Sequence, residues 1–149
     1  MLLSKTCIYG IRAVLFIATR KTQKYLPIGG IAEELGISFH FLTKILQTLT
    51  QKKILHSYRG PNGGISLARP SETLKLIEIV DAIDGSEALN SCLLGLPGCG
   101  VLKPCPLHDE WGDIRKRIHE MLNHTTVAEL AKKVIDNNLR LSEIDPLAT

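Results

Sequence analysis

The feature that constrains the fold most lies between residues 31 and 68, where two helical patterns are followed directly by a glycine-rich hairpin pattern. The pair Gly29-Gly30 interrupts the chain before a short predicted helix over residues 31–35, which stops at Gly36. Ser38 is the predicted N-cap of a longer second helix. The apolar residues of that helix recur at the spacing of one buried face, at Leu42, Ile45, Leu46 and Leu49. Together the two helices predict a helix-turn-helix.

Two short strand patterns follow, over residues 54–58 and 65–68. They are separated by a tip of sequence Arg-Gly-Pro-Asn-Gly-Gly, which begins at Arg59. A helix-turn-helix followed by such a hairpin has the order of a winged helix, in which the second helix enters a DNA major groove and the wing contacts the backbone or the minor groove. A nucleotide-binding loop is the poorer interpretation, because the tip does not end in Gly-Lys-Ser/Thr and no helix follows it.

The charge distribution agrees with a nucleic-acid partner. Residues 1–70 hold ten Lys or Arg against two Glu, whereas residues 71–149 hold eight Lys or Arg against thirteen Asp or Glu. The overall charge of +3 therefore conceals a strongly basic first half and an acidic second half. Clustered cations attract phosphates, although a solvated basic surface remains an alternative.

The remaining helical patterns complete a mainly α fold with a small β hairpin. They cover residues 5–20, with Ser4 as N-cap, and residues 74–83, 108–121 and 126–134. We predict a winged helix-turn-helix domain over residues 1–70. Residues 71–134 are predicted to hold a connecting helix, a cysteine-containing loop and a dimerisation helix, and residues 135–149 a C-terminal tail.

The long helix predicted from His108 carries one apolar stripe at near-heptad spacing, made of Trp111, Ile114, Ile118, Met121 and Leu122. Such a stripe packs either against its own domain or against a second subunit. Because DNA-binding proteins commonly contact two half-sites as symmetric dimers, we favour the second subunit.

The loop over residues 91–108 holds four soft or borderline ligands, namely Cys92, Cys99, Cys105 and His108. Thiolates and an imidazole suit zinc or an iron-sulfur cluster and do not suit magnesium. Structural zinc usually has one closely spaced cysteine pair, and six and five residues separate these cysteines, so the spacing favours a bulkier cluster. The alternative is that the cysteines are small apolar residues of an ordered loop.

Cys7 stands apart from these ligands, in the first turn of the first predicted helix. The helix dipole there lowers the pKa of a thiol, which would make Cys7 reactive or ligating. More often, a cysteine at such a position is a buried structural residue.

Four stretches of the sequence are characteristic of one family. They are Ser4-Lys5 with Tyr9 to Ala13, Ile31-Ala32 to Ser38, Phe41-Leu42 with Lys44 to Leu46, and Tyr58 to Gly64 with Leu67-Ala68. In these stretches and in the downstream cysteine loop the chain resembles the Rrf2 family of winged-helix transcription regulators, and its ligand pattern is similar to that of the IscR-like members. The likeness extends to about residue 134.

The resemblance implies a homodimer, paired through the long helix, that binds palindromic double-stranded DNA. The residues that it assigns to DNA contact are Ser38, His40, Phe41, Thr43 and Lys44 of the recognition helix and Ser57, Arg59 and Asn62 of the wing. By their chemistry, Lys44 and the backbone at Ser38 suit phosphates, and Thr43 and His40 suit base edges. IscR-like members often carry an acidic residue where Thr43 stands, so the preferred DNA sequence is open.

The resemblance also implies an iron-sulfur cluster, with 2Fe-2S as the first expectation and 4Fe-4S as the second. In IscR-like members a His three residues beyond the third Cys completes the ligand set, and Cys105-Pro106-Leu107-His108 reproduces that spacing. The first interval is one residue longer than in those members. Other members take an acidic ligand from the partner's first helix at the position of Ile8, which cannot ligate, so that Cys7 becomes a conceivable substitute.

Taken together, these observations predict a transcription regulator whose loop senses iron-sulfur status, oxygen or nitric oxide. Two alternatives are the same fold acting as a thiol-based redox switch and a zinc-stabilised interaction module that binds no specific DNA. The sequence has no recognisable catalytic set, so we do not expect an enzyme. It also has neither a signal peptide nor a membrane span, so we expect a cytoplasmic protein.

Overall fold

The computed structural model describes residues 2–143. Within them the chain forms six α-helices and one hairpin. The bounds of these elements, in chain order, are α1 Lys5–Thr19, α2 Ile28–Leu35, α3 Phe39–Gln51, β1 Leu55–Tyr58, β2 Gly64–Leu67, α4 Leu76–Ile83, α5 His108–His124 and α6 Val127–Asp136. The predicted mainly α fold with a small hairpin is confirmed.

The helix-turn-helix consists of α2, a sharp turn and α3. Gly36 ends α2 in the left-handed conformation, with φ of 64°, and its N–H bonds back to α2 carbonyls. Ser38 caps α3, and its Oγ accepts from the N–H of Phe41 at 3.2 Å. The four apolar residues of the predicted buried face are all buried. The turn and the cap therefore fix the direction in which the N-terminus of α3 points.

The wing is a two-stranded antiparallel hairpin extended by one residue of an earlier segment. Leu55 pairs with Leu67, and Tyr58 pairs with Gly64. Leu26 forms a bridge with Ile65, through N–H···O bonds of 2.9 and 2.8 Å. The hairpin is thereby held to the segment that leads into α2.

One hydrophobic core joins the winged helix to the later helices, because α1 packs against α2, α3, α4 and α6. Its most buried members include Val14, Leu42, Ile79 and Val127. α4 follows a short 3-10 helix. Thr126 caps α6: its Oγ1 accepts from the N–H of Glu129, and the Glu129 carboxylate accepts from the N–H of Thr126. No helix among residues 2–143 combines the length and the apolar character needed to cross a lipid bilayer.

Several predicted boundaries were wrong. α2 begins at Ile28 rather than Ile31, because Gly29 and Gly30 fit in its first turn behind Pro27. The helix predicted from Leu74 begins at Leu76, and α5 and α6 run three and two residues further than predicted, to His124 and Asp136. These are the frayed ends that a hydrophobic pattern defines least well.

The C-terminal tail is only partly polar surface. Leu141 is half-buried and packs against the core. Leu139 donates its N–H to the carbonyl of Val134 at 3.1 Å. The last six residues of the predicted tail, 144–149, lie outside the described residues.

Candidate functional site

The three cysteines of the loop between α4 and α5 converge. The Sγ atoms of Cys92, Cys99 and Cys105 all lie within 4.8 Å of one another, although thirteen positions separate the first from the last. Cys92 Sγ lies 3.6 Å from Cys105 Sγ, which is far beyond the ~2.05 Å of a disulfide, so all three are free thiols. Glycines in the left-handed conformation at Gly95 and Gly98 supply the tight turns that bring them together.

His108, the predicted fourth ligand, stands beside this group as the first residue of α5. Its ring Nδ1 lies 3.4 Å from Cys99 Sγ. Its backbone N–H donates to the carbonyl of Cys105 at 3.0 Å. Three thiols and one imidazole nitrogen are a soft donor set, which fits zinc or an iron-sulfur cluster. The three thiols and the imidazole are therefore suitable ligands for the predicted iron-sulfur cluster.

The two cysteines at the ends of the loop differ in acidity. Hydrogen bonds from backbone N–H groups, first that of Leu96 and then that of Leu94, lower the pKa of Cys92 to about 7. Burial raises the pKa of the Cys105 thiol. Because the thiolate is the ligating and reactive form of a cysteine, Cys92 is the more nucleophilic of the two at neutral pH.

α5 holds the beginning of the cysteine loop through two side chains. Trp111 Nε1 donates to the carbonyl of Ser91 at 2.9 Å, and Arg115 Nη1 donates to the carbonyl of Asn90 at 2.6 Å. Both acceptors directly precede Cys92. The far end of the loop is open to solvent, and Val101 and Leu102 are 89% and 96% exposed. The cysteines thus lie between a fixed base on α5 and an exposed apolar tip.

Cys7 is not part of this group, and the more common outcome for such a cysteine, a buried structural residue, is the one that the structure shows. It is fully buried in the core. Burial and then the neighbouring Asp84 carboxylate raise the pKa of its thiol to about 12. These effects outweigh the helix dipole, so the alternative of a buried structural residue holds.

We expect Cys7 to stay unlabelled when the native protein is treated with iodoacetamide at pH 8, and to be labelled in full in 6 M guanidinium. Above pH 9 the unfolded thiol loses its proton while the folded one keeps it up to about pH 12, so Cys7 makes the fold less stable as pH rises through that range. Peptide mapping by mass spectrometry measures the labelling of metal-free protein, in which the free thiol of Cys92 is the internal positive control. Labelling of Cys7 in the native state at the rate of Cys92 would contradict the burial.

The second candidate site is a groove of about 1000 Å³ between α3 and the wing. Thr43 lines it from α3, and Ser57 and Arg59 line it from the wing. These three belong to the predicted DNA-contact set. Gln47, one helical turn beyond Thr43, lines the same groove and is not in the predicted set, although its i+4 spacing from Thr43 places it on the same face of the helix.

The other predicted contact residues occupy different positions. His40 and Lys44 are exposed on α3, and Asn62 is exposed at the wing tip with φ of 62°. Ser38 uses its hydroxyl as the α3 cap. The Phe41 ring is half-buried and packs edge-on against Tyr9, with centroids 5.6 Å apart, so it supports the helix from its core side.

The sequence matches the family model "Rrf2: Iron-dependent Transcriptional regulator" over residues 3–133. The chain belongs to the Rrf2 family. Among curated members, it is 34% identical over 122 residues to the HTH-type transcriptional regulator IscR of Sodalis glossinidius, covering 82% of this chain and 73% of that one. It is 29% identical over 136 residues to a putative HTH-type transcriptional regulator of Azotobacter vinelandii, covering 91% and 82%. These relatives are transcriptional regulators and not enzymes, as expected for this chain.

Solved structures support the same fold. The IscR of T. potens aligns with a TM-score of 0.74 at 24% identity, covering 93% of this chain and 91% of that one. CymR, the global cysteine regulator of B. subtilis, aligns with a TM-score of 0.74 at 22% identity, covering 87% and 95%. The Rrf2 winged-helix architecture is therefore confirmed, and this chain is a transcriptional regulator of the IscR type.

Proposed function

We propose that this Rrf2 protein is a cytoplasmic, homodimeric DNA-binding regulator whose cysteine loop holds an iron-sulfur cluster, 2Fe-2S in the first instance and 4Fe-4S in the second. The observation that carries the proposal is the convergence of three free thiols within 4.8 Å, with His108 against Cys99. Cys92, Cys99, Cys105 and His108 would hold the cluster. When bound, it supplies a redox-active and oxidation-labile centre, suited to sensing iron-sulfur status, oxygen or nitric oxide.

The chain's own contacts offer a way for the loop to influence DNA binding. Trp111 and Arg115 hold the segment before Cys92 on α5, and His108 begins the same helix. The loop with a bound cluster and the loop without one would therefore place different constraints on α5. If α5 is the dimerisation helix, the two loop states favour different relative positions of the two winged helices, which is a population shift.

DNA binding is assigned to the groove between α3 and the wing, to the exposed side chains near the N-terminus of α3, and to the wing tip. The residues proposed to contact DNA are Ser38, His40, Thr43, Lys44, Ser57, Arg59 and Asn62. Phe41, the other residue of the predicted set, supports α3 from its core side by packing on Tyr9. Lys44 and the N–H groups near Ser38 suit phosphates, and Thr43 and His40 suit base edges. Arg59, on the wing side of the groove, suits a phosphate or a minor groove. A symmetric dimer would present two such surfaces to a palindromic operator.

Binding to a random-sequence duplex tests the DNA assignment. Each neutralised phosphate releases counterions, so we expect affinity to fall by about 10³-fold or more between about 50 and 200 mM salt. Arg59→Ala is expected to weaken binding and to lower the salt slope. Fluorescence anisotropy measures both. Affinity that responds neither to salt nor to Arg59→Ala would instead favour a basic surface without a DNA partner.

The apolar stripe of α5 supports the dimer proposal, because only part of it is used within the chain. Leu122 is buried and Ile118 packs on the core, whereas Ile114 and Met121 are 48% and 57% exposed. Exposed apolar residues that continue a buried stripe are typical of a subunit interface.

We expect the double substitution Ile114→Glu with Met121→Glu to convert the protein to monomers, since burying four new carboxylates across a two-fold axis costs about 2 kcal/mol or more per site. Sedimentation equilibrium measures the change. Ile135→Glu, at a 52% exposed position of α6, is the matched control and should leave the dimer intact. A wild-type monomer, or a dimer unaffected by the double substitution, would contradict the assignment of α5.

A thiol switch is the second candidate, because Cys92 Sγ and Cys105 Sγ lie 3.6 Å apart and backbone N–H groups lower the pKa of Cys92 to about 7. In that case the Cys92 thiolate would be oxidised by a peroxide to a sulfenic acid. Attack by the Cys105 thiol would then form a disulfide and release water. Mass spectrometry with and without reductant detects the loss of two hydrogens in this pair.

A further inference from the structure

A short segment that the predicted DNA-contact set omits lies against the wing. It comprises residues 20–25, between α1 and the bridge residue Leu26, and we call it the wing flank. The Tyr25 ring stacks on the Tyr58 ring of β1, with centroids 5.1 Å apart and an angle of 20° between the planes. The two N–H···O bonds between Leu26 and Ile65 fix the adjoining backbone. The end of the wing flank at Tyr25 is therefore held against the wing before any partner binds.

The wing flank and the wing tip enclose a second groove, of about 500 Å³. Its lining is free of acidic residues and consists of Gln23, Lys24, Tyr25, Tyr58, Pro61 and Asn62. Tyr58 also lines the larger groove next to α3. The two grooves therefore share Tyr58 as a lining residue.

The chemistry of this second groove suits a phosphate backbone. Lys24 is exposed, and its Nζ lies 5.6 Å from the centroid of the Tyr25 ring, which limits the directions that the ammonium samples. Gln23 and Asn62 add amide groups that can donate to phosphate oxygens. The wing flank holds three cations and no carboxylate.

We propose that the wing flank is a further DNA-contact surface, in which Lys24 binds a backbone phosphate of duplex DNA next to the segment contacted by the wing tip. This inference rests on the proposed DNA-binding function and extends it beyond α3 and the hairpin. A phosphate contact carries no base information, so the surface contributes affinity for any sequence and leaves the operator preference to α3 and the wing.

The test compares how the binding of the wild-type protein and of Lys24→Ala to one random-sequence duplex depends on salt concentration. A dimer carries two Lys24 side chains, so the slope of log K against log salt should fall in magnitude by about 1.8, at about 0.9 per phosphate contact. With equal binding at about 1 M salt, the affinity of Lys24→Ala at about 100 mM salt should be lower than that of the wild type by about 60-fold, one decade of salt at a slope difference of about 1.8. Lys24→Glu should weaken binding further. Lys133→Ala, at an exposed lysine of α6, is the charge-matched control and should leave the slope unchanged.

The outcomes separate the two claims. A wild-type protein whose binding is salt-dependent, with the same slope in Lys24→Ala as in Lys133→Ala, overturns the wing-flank inference and leaves the proposed function standing. A wild-type protein without salt-dependent binding overturns the proposed function, and this inference with it. Circular dichroism of each variant checks that the surface substitutions leave the fold intact.

Discussion

Replacing Cys92, Cys99 and Cys105 by Ala is expected to remove iron and sulfide from protein purified without oxygen and to abolish any difference in DNA affinity between the metal-loaded and metal-free protein. The three sulfurs are the only group of three or more potential metal ligands that converge within the described part of the chain. Without them the loop keeps one imidazole, which cannot retain a cluster on its own. The iron content should therefore fall from about one cluster per chain to below about a tenth of that.

Single substitutions sharpen this prediction. Cys99→Ala should lose the cluster as completely as the triple variant, since cluster ligation uses every thiolate. His108→Ala should bind the cluster more weakly and alter its spectrum, because His108 adjoins one sulfur only through its 3.4 Å contact with Cys99. Iron and sulfide assays with a visible spectrum provide the measurement.

Cys7→Ala is the matched control for these substitutions. Cys7 is as free as the other three cysteines, but it lies in the core and outside the ligand group. Its replacement should cost about 1–2 kcal/mol of unfolding free energy, through the small cavity that it leaves, and should leave iron binding unchanged. Loss of iron in Cys7→Ala together with full iron content in the triple variant would overturn the assignment of the site.

The second large effect is expected at Gly64, the first residue of β2. A Cβ at this position would overlap the backbone carbonyl of Leu26 and lie 2.9 Å from the backbone nitrogen of Pro27. Backbone atoms cannot move aside as a flexible side chain can. We therefore expect Gly64→Ala to break the bridge between Leu26 and Ile65 and to destabilise the wing by about 3 kcal/mol, close to the upper range for overpacking.

DNA affinity should fall with the wing, by up to about a hundredfold where binding to DNA has to restore the whole loss of about 3 kcal/mol. Thermal unfolding and anisotropy on one duplex measure both effects. Gly30→Ala is the matched control, since a Cβ there meets nothing within 4 Å and the residue is helical. That substitution should raise stability by up to about 1 kcal/mol. Equal stability of Gly64→Ala and Gly30→Ala would contradict the close approach of Leu26 to the wing.

Local patterns predicted α3 and the wing well, because both depend on signals within a few residues. The Ser38 cap, the four buried positions of α3 and the glycine-rich tip all lie where the sequence places them. The start of α2 was wrong because glycine is unfavourable inside a helix on average, whereas Gly29 and Gly30 stand in its first turn.

Contacts between distant segments could not be obtained in this way. No spacing rule places Tyr25 on the Tyr58 ring or brings Trp111 to the carbonyl of Ser91, because both depend on how α1 and α5 pack. The pKa of Cys7 illustrates the same limit. Its helix position taken alone favours a lowered pKa, whereas the burial and the Asp84 carboxylate that raise the pKa come from tertiary structure.

The ligand set lies between these two cases. The spacing of Cys92, Cys99 and Cys105 indicated a loop with soft ligands, and the left-handed glycines within it were compatible with convergence. The distances between the sulfurs came only from the fold of the whole loop against α5. His108 was predicted as a ligand from its position three residues after Cys105, and its 3.4 Å contact with Cys99 supports that prediction by a distance that the spacing did not contain.

The central claim is that a cluster-binding regulator uses these ligands, and the most direct measurement is the iron, sulfide and zinc content per chain of protein purified without oxygen, together with its visible spectrum. The account predicts coloured protein with about two iron and two sulfide per chain, little zinc, and band shapes that identify the cluster type. Colourless protein that contains only zinc, or metal-free protein that binds DNA and forms the disulfide between Cys92 and Cys105, would contradict it.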